Sequence, residues 1–482
     1  MRYWDTSYVP RSPVLVTSGA SMDKHHTLPK PTFIDLFSGC GGLSLGLSQA
    51  GWQGIFAIER ASDAFETFKA NFLETQQPHR FKWPLWLEQR AHSIDDVLEK
   101  HKGELDRLRG KVDLIAGGPP CQGFSLAGKR NAADPRNKMF ERYVSFVDII
   151  RPKYLILENV PGMQVAHVGR GSSQRTKVGQ TYYEKLIEAL RALGYTAKGR
   201  VLDASNFGVP QRRARLVVVG MRNDIAERIG ATGSLEAKCD HVFSKIETVG
   251  RAQLHSYGGG KPVTAGQAIS DLIVGTGKAA KQRTIEYIGV GARKGYLQLK
   301  YEEPAEKNAY LAYMRDGASQ SSIDSMRLAR HCEEVQSRFE AILNSCKRGV
   351  NLSGDDRSRF GMLKHRTVPM SKNLVAPTLT TLPDDILHFK DPRILTVREC
   401  ARLQSFPDWF VFKGKYTTGG DRRRVDCPRY TQVGNAVPPL LARAIGIGAL
   451  EALQEVRSKS EQTSMPNNHK DTAIRNAAYI GR

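Results

Sequence analysis

The chain has no Cys-x-x-Cys pair. Its seven cysteines, Cys40, Cys121, Cys239, Cys332, Cys346, Cys400 and Cys427, are odd in number and scattered over 482 residues. That pattern opposes both a zinc cluster and a disulfide framework, so no metal is expected and a reducing compartment is. Also missing is an apolar run near the roughly 18 residues that cross a bilayer. The opening MRYWDTSYVPRSPVLVTSGASMDKHH carries no signal-like apolar stretch, so no membrane partner is expected. Acidic residues are scarce: 49 Asp and Glu stand against 71 Lys and Arg, a net charge of +22. Such an excess favours a polyanionic partner through phosphate contacts and counterion release. No internal repeat occurs. With 40 % hydrophobic residues the composition fits a globular chain, of two or three domains at roughly 150 residues each.

From Thr32 to Met221 short apolar runs alternate with helical patterns. FIDLF, IFAIE, VDLIA, YLILEN and RLVVV fit buried strands of a largely parallel sheet. SDAFETFKANF, FERYVSFVDII and YYEKLIEALRAL, between them, space their apolar residues by three and four. This alternation predicts a doubly wound α/β domain. Beyond it the chain is richer in glycine, serine and charge, and VQSRFEAIL is its clearest helical piece. Regularity returns at LTVRECARLQSF, where Thr396 and Glu399 have capping-box spacing, and at PPLLARAIGIGALEAL, a helix opened by proline. The expected division is a flexible tail over 1–30, a catalytic domain over 31–222 completed by 431–455, a smaller irregular domain with its hinge over 223–430, and a frayed tail over 456–482.

Two stretches carry chemistry. DLFSGCGG joins the first strand to a helix through Gly39, Gly41 and Gly42, a turn that lets a ligand approach the backbone at a helix start. Glu59 ends the next strand, where an acid accepts hydrogen bonds from ribose hydroxyls. Together they suit an adenosine ligand and leave open whether it is a dinucleotide or S-adenosylmethionine. In GGPPCQGFS, Gly117–Ser125, two prolines and two flanking glycine positions shape a loop at a strand end. A free cysteine is ordinarily a small buried hydrophobe; this setting presents Cys121 instead.

FIDLFSGCGG, GGPPCQGFS, LENV, VPQRRARL, RECARLQSFPD and QVGNAVPP occur in the order, and at the rough separations, of the motifs of DNA (cytosine-5) methyltransferases. The sequence resembles that family over Phe33 to Met221 and Arg393 to Leu450. The resemblance implies a class I S-adenosylmethionine-dependent methyltransferase, a Rossmann-like doubly wound sheet, with a target-recognition domain in the intervening region. It further implies methyl transfer from S-adenosylmethionine to C5 of a cytosine flipped out of a specific double-stranded DNA sequence, with S-adenosylhomocysteine as product. Cys121 becomes the nucleophile at C6, because thiolate addition turns an unreactive C5 into an enamine-like carbon. Glu158 handles cytosine N3 and the 4-amino group, and Arg213 and Arg215 lie against the target nucleotide and its phosphate. Strand alternation puts those two arginines on one face and Arg212 on the other. Gln122 and Asn159 orient the loop and brace Glu158.

For the cofactor, the resemblance has Phe37 stacking on adenine, the turn Ser38, Gly39, Cys40, Gly41 and Gly42 meeting the methionine part, and Glu59 holding the ribose. Ser93 and Ile94 stand where the family carries an Asp-Ile pair, and Pro120 also borders the pocket. Met139 replaces a leucine, a volume-conserving change, and Asn435 and Ala436 close the site from the C-terminal side. Extruding a base costs a few kcal/mol. Lys129, Arg130 and Arg136 in SLAGKRNAADPRN help offset it by neutralising phosphate, and Thr378 and Leu379 match a signature that contacts the DNA backbone. Arg422, Arg423 and Arg424 lie in an insertion, KGKYTTGGDRRRVDCPRY, absent from the shorter family pattern. The size suggests a monomeric bacterial or phage modification enzyme, cytoplasmic at the nucleoid, with a separate restriction endonuclease as companion. A tRNA cytosine methyltransferase, a DNA-binding regulator without catalysis and a nicotinamide oxidoreductase are the alternatives. The long region before Arg393 and the lack of a CFT tripeptide oppose the first, the intact Cys121, Glu158 and Arg213 the second, and the joint presence of PPCQ, ENV and QRR the third.

Overall fold

Alternation along each strand sorts the apolar side chains onto two faces. In the computed structural model, which describes residues 29–120, 139–165, 180–230, 232–319, 323–417 and 426–464, Phe33, Leu114, Ala116, Tyr154, Ile156, Val217 and Val219 enter one core layer. Ile34, Leu36, Ile115, Leu155, Leu157, Leu216 and Val218 enter the other. A period of two turns successive residues to opposite sides, so a run such as YLILEN must be apolar on both.

The strands are β1 (Thr32–Leu36), β2 (Gln53–Ile58), β3 (Leu114–Gly117), β4 (Tyr154–Asn159), β5 (Tyr195–Asp203) and β6 (Ala214–Arg222), in the spatial order β2-β1-β3-β4-β6-β5. β1 to β4 pair in parallel, as expected; β6 runs antiparallel to β4, and β5 antiparallel to β6. The sequence did not mark β5 as a strand. YTAKGRVLD is an edge strand with one buried residue near each end and mostly half-exposed positions between, so it shows no apolar run.

The helices are α1 (Gly42–Gln49), α2 (Ser62–Phe72), α3 (Ile94–Lys100), α4 (Met139–Ile150), α5 (Tyr182–Ala192), α6 (Leu235–Gly258), α7 (Val397–Leu403), α8 (Arg429–Asn435) and α9 (Pro439–Ser464), with the helix Glu333–Ser345, which covers the expected VQSRFEAIL, several short helices and two-stranded ladders between them. α2, α4 and α5 coincide with their sequence patterns. The expected capping box opens α7: Glu399 N donates to Thr396 Oγ1 at 3.1 Å, and Thr396 N to Glu399 Oε2 at 2.7 Å. α6, unanticipated inside the stretch assigned to the irregular domain, packs on β5, β6 and α9.

α9 returns the chain to the first motif. A Cβ at Gly46 would lie 2.4 Å from the Ala442 Cβ and 2.5 Å from the Pro439 carbonyl, so α1 and α9 touch backbone to backbone. A window within Arg429–Ser458 has mean hydropathy 1.4, apolar enough for a membrane span by length and composition, which the sequence reading had not anticipated. It is 78 % buried against the protein, the mark of a core helix. The helix also runs to Ser464, past the expected boundary at 456, because Val456 is buried and Arg457 pairs with Asp113 at 3.6 Å.

Candidate active site

Every parallel strand delivers a motif to the same edge of the sheet. β1 ends in the glycine turn, β2 in Glu59, β3 in the Gly118–Pro120 segment and β4 in Glu158 and Asn159, while antiparallel β6 begins there with Arg215. Ligands of open α/β sheets bind outside the carboxyl ends of the strands where the strand order reverses; here that point lies at β1 and β3.

The turn after β1 is tightly wound. Phe37, Gly39 and Gly41 have φ of 61°, 56° and 97°. At the two glycines this conformation costs little; at Phe37 it stores strain of about 1–3 kcal/mol, as ligand sites do. Glu59 ties the turn to β2, accepting from Gly39 N at 2.9 Å through Oε2 and from Ala61 N at 2.7 Å through Oε1. Burial raises its pKa, and these two backbone donors oppose the rise. With about four acceptor positions, the carboxylate keeps capacity for a further donor. His92 N donates to the Glu59 carbonyl at 2.9 Å, which sets Ser93 and buried Ile94 beside it. Ser93 caps α3 without using its side chain. The Ser38 hydroxyl is buried and has no hydrogen-bond partner among the described residues. A half-buried aromatic, an acid with remaining acceptor capacity and an orphaned hydroxyl fit an adenosine-bearing ligand. Among the described residues no three His, Cys, Asp or Glu side chains gather as a metal-ligand set.

Around Glu158 the geometry is closer. Arg215 Nε stands 2.8 Å from Glu158 Oε1, both side chains being about nine-tenths buried. Glu158 registers with Val217 across the β4–β6 ladder, so Arg215 is its diagonal neighbour on the same face, within reach of a long side chain. A Cβ at Gly118 would lie 3.3 Å from Glu158 Oε2, so the segment leading to Cys121 passes over the carboxylate. Asn159 Nδ2 donates to the Pro119 carbonyl at 3.1 Å and Asn159 Oδ1 accepts from Val160 N at 2.9 Å. The side chain thereby pins the segment after β3 to the end of β4.

Other expected residues are placed differently. Arg213 is only 1 % exposed, and its guanidinium donates to the carbonyls of Leu379 at 3.1 Å and Gly434 at 2.7 Å. It sits inside the protein with almost no access to solvent, whereas Arg212 is exposed and Arg215 keeps a small exposed fraction. Arg213 precedes β6, so strand alternation did not govern where it points. The Cys40 thiol faces the Gln432 carbonyl at 3.7 Å in the core, and burial pushes its pKa up; only its backbone faces the turn. Pro120 and Asn435 are exposed, Met139 is half-buried and Ala436 is buried. The Val437 carbonyl would lie 2.3 Å from a Cβ at Gly42, which brings the C-terminal motif onto the glycine turn. Cys121, Gln122, Lys129, Arg130, Arg136 and Arg422, Arg423 and Arg424 lie outside the described residues.

Three polar residues escaped the sequence reading. Asp35 is fully buried in β1, with its Oδ2 accepting from Ser44 Oγ at 2.5 Å, and burial pushes its carboxyl up to about 7. An acid inside an apolar strand run is anomalous on its face and was the available signal. Gln211 and Gln404, both 0 % exposed, lie within motifs that were quoted for other members.

The family model of C-5 cytosine-specific DNA methylases matches residues 31–449. The type II methyltransferase M.DdeI of Desulfomicrobium norvegicum is 30 % identical over 421 residues, 86 % of each chain. M1.HphI of Haemophilus parahaemolyticus is 31 % identical over 428 residues, 87 % of each. M.XorII of Xanthomonas oryzae pv. oryzae is 30 % identical over 459 residues, 91 % of this chain and 88 % of that one. A crystal structure described as a DNA modification methyltransferase encoded within an Escherichia coli prophage superposes with a TM-score of 0.57 at 22 % identity, over 88 % of this chain and 99 % of that one, a likeness of fold.

Proposed function

Since the chain belongs to the C-5 cytosine-specific DNA methylase family, we propose that it methylates C5 of a flipped cytosine in one short double-stranded DNA sequence, as the modification enzyme of a restriction-modification system. The observation that carries the reading is Glu158, clamped by Arg215 and lying directly under the Gly118 backbone that leads to Cys121.

S-adenosylmethionine supplies the methyl group as a sulfonium. The residues that would hold it are Phe37, the turn Ser38 to Gly42, Glu59, Ser93, Ile94 and the 435–437 segment; the orphaned Ser38 hydroxyl and the remaining acceptor capacity of Glu59 support that assignment. Cys121 adds through its thiolate to cytosine C6 while a proton from Glu158 reaches N3, so the electron pair displaced by sulfur collects at C5. Once C5 carries the methyl group, its proton passes to solvent, the C6–S bond breaks with its electron pair returning to the Cys121 sulfur, and Glu158 takes back the N3 proton, which restores the ring. Arg215 orients Glu158, and Asn159 holds the approach of the Cys121 loop through the Pro119 carbonyl. The net charge of +22 supports a DNA partner. The enzyme acts as a cytoplasmic monomer with a separate endonuclease, and the recognition surface comes from the 223–430 region.

Expression in a methylation-free host followed by genome-wide mapping of 5-methylcytosine tests the activity and yields the target. One recurring motif is expected; soluble protein with a blank map refutes the proposal. Duplex carrying 5-fluorocytosine at that site should become covalently attached to the wild type and not to Cys121→Ala, which keeps its affinity for S-adenosylmethionine.

A further inference from the structure

Gln211 and Arg213 hold the backbone of one residue, Leu379, at its N–H and at its carbonyl. Leu379 N donates to Gln211 Oε1 at 2.9 Å, and the Leu379 carbonyl accepts from Arg213 Nη1 at 3.1 Å. The backbones reinforce the contact: Arg212 N reaches the Ala376 carbonyl at 2.9 Å, Ala376 N the Pro210 carbonyl at 3.0 Å, and Thr378 Oγ1 the Arg212 carbonyl at 2.6 Å. The same two side chains extend to the C-terminal motifs. Gln211 Nε2 donates to the Leu403 carbonyl at 3.2 Å and to Gln404 Oε1 at 3.0 Å, Gln404 Nε2 donates to the Val433 carbonyl at 2.8 Å, and Arg213 Nη2 donates to the Gly434 carbonyl at 2.7 Å. Space for an independent shift is absent, since a Cβ on Gly434 would lie 2.2 Å from the Thr380 carbonyl. Four chain segments far apart in sequence therefore meet in one buried polar knot.

The knot is next to the chemistry. Two residues after Arg213, Arg215 grips Glu158. A displacement of segment 376–380 moves Leu379, and with it the two side chains, Gln211 and Arg213, that lead into β6. Satisfied buried networks are rigid and fix one arrangement, so such a displacement reaches Arg215 and Glu158 undamped.

We infer that Gln211, Arg213 and Gln404 are positioning residues that link the seating of segment 376–380 on DNA to the placement of Glu158, and that Arg213 does not itself meet the nucleotide. The inference rests on the proposed roles of Cys121 and Glu158.

The full-length chain, Arg213→Lys, Gln211→Met and the double variant are compared on the mapped duplex, in steady state and with its 5-fluorocytosine form. Lysine keeps the charge but replaces the planar two-nitrogen fork by a single point donor, and methionine keeps the volume without the amide. Each single variant should lose tenfold or more in kcat and in trapping rate. KM for DNA should stay within twofold, and the salt dependence of DNA affinity should be unchanged. The double variant should match the weaker single within about threefold, because both residues hold the backbone of Leu379. A raised KM with kcat retained, and a salt slope reduced by about one, make Arg213 a phosphate contact and overturn the inference, as do kcat losses that multiply. Wild type that fails to trap 5-fluorocytosine duplex refutes the reaction instead. Should the variants not fold, hydrogen exchange on the wild type decides: on binding duplex, segments 211–217, 376–382 and 430–436 should gain protection together, and protection confined to 376–382 overturns the inference.

Discussion

At the scale of single residues, the site depends on donors held in place rather than on unusual side chains. Asn159 is the clearest case, because its amide separates two tasks: Nδ2 restrains the Pro119 carbonyl and Oδ1 accepts from Val160 N. Asn159→Asp removes the first and keeps the second. With the loop toward Cys121 untethered, kcat and the rate of 5-fluorocytosine trapping should fall by about tenfold or more, the range for a misplaced reacting group. Affinity for S-adenosylmethionine, measured by calorimetry, should change less than twofold. A variant with wild-type trapping would show that the tether is not needed. Arg213 teaches the converse lesson: an arginine in a catalytic motif can lie wholly inside the protein, satisfied by carbonyl oxygens.

Elements come together here through glycines that permit contact rather than through turns alone. Gly42 and Gly46 on α1 admit the backbone of the C-terminal segment, and Gly434 on α8 admits the Thr380 carbonyl. Gly434→Ala would force backbone apart, which a rigid core resists; a loss of about 2 kcal/mol or more is expected. Gly103, in the short helix Lys102–Arg107, has nothing within 4 Å of a built Cβ. Gly103→Ala should therefore stabilise by about 0.5–1 kcal/mol through helix propensity. Urea unfolding of the pair checks both signs, and equal effects would show that the close approach to Thr380 relaxes freely.

Across the whole molecule, pH should act through buried histidines. Burial lowers the pKa of His79, to about 4, and also lowers those of His92, His331 and His388, the last helped by Arg393. His388 Nδ1 accepts from Lys390 N and Asp391 N at 3.1 and 2.9 Å, which requires a neutral ring. An unfolded histidine takes a proton near pH 6.5 that these sites refuse, so their contribution is complete above that value and is lost as the pH falls. Asp35 acts oppositely. Its carboxyl, raised to about 7, keeps a proton that the unfolded chain releases, and its contribution is lost as the pH rises toward 7. Glu59 and Asp63, also raised by burial, act in the same sense as Asp35, and four histidines against these three acids predict a net drop in the urea midpoint between about pH 7 and pH 5, steeper in Asp35→Asn. A midpoint that rises on acidification would contradict the balance.

What the sequence determined by itself was whatever local chemistry enforces. The runs of β1 to β4 had to be buried strands because both of their faces are apolar, Thr396 and Glu399 had to open a helix, and the order of six motifs identified the family. Glu59 and Glu158 were legible because each ends such a strand. β5 was not, since an edge strand needs no apolar run, and α6 was not, since its buried positions are diluted among polar ones over 24 residues. Only the tertiary structure decided that β6 runs antiparallel, that Arg215 rather than Arg213 reaches Glu158, and that Gln211, Gln404 and Leu379 share one knot. The knot joins Gln211 to partners more than 150 residues away along the chain, Arg215 meets Glu158 from a different strand, and a hydrogen bond between distant segments leaves no periodicity for local patterns to reveal.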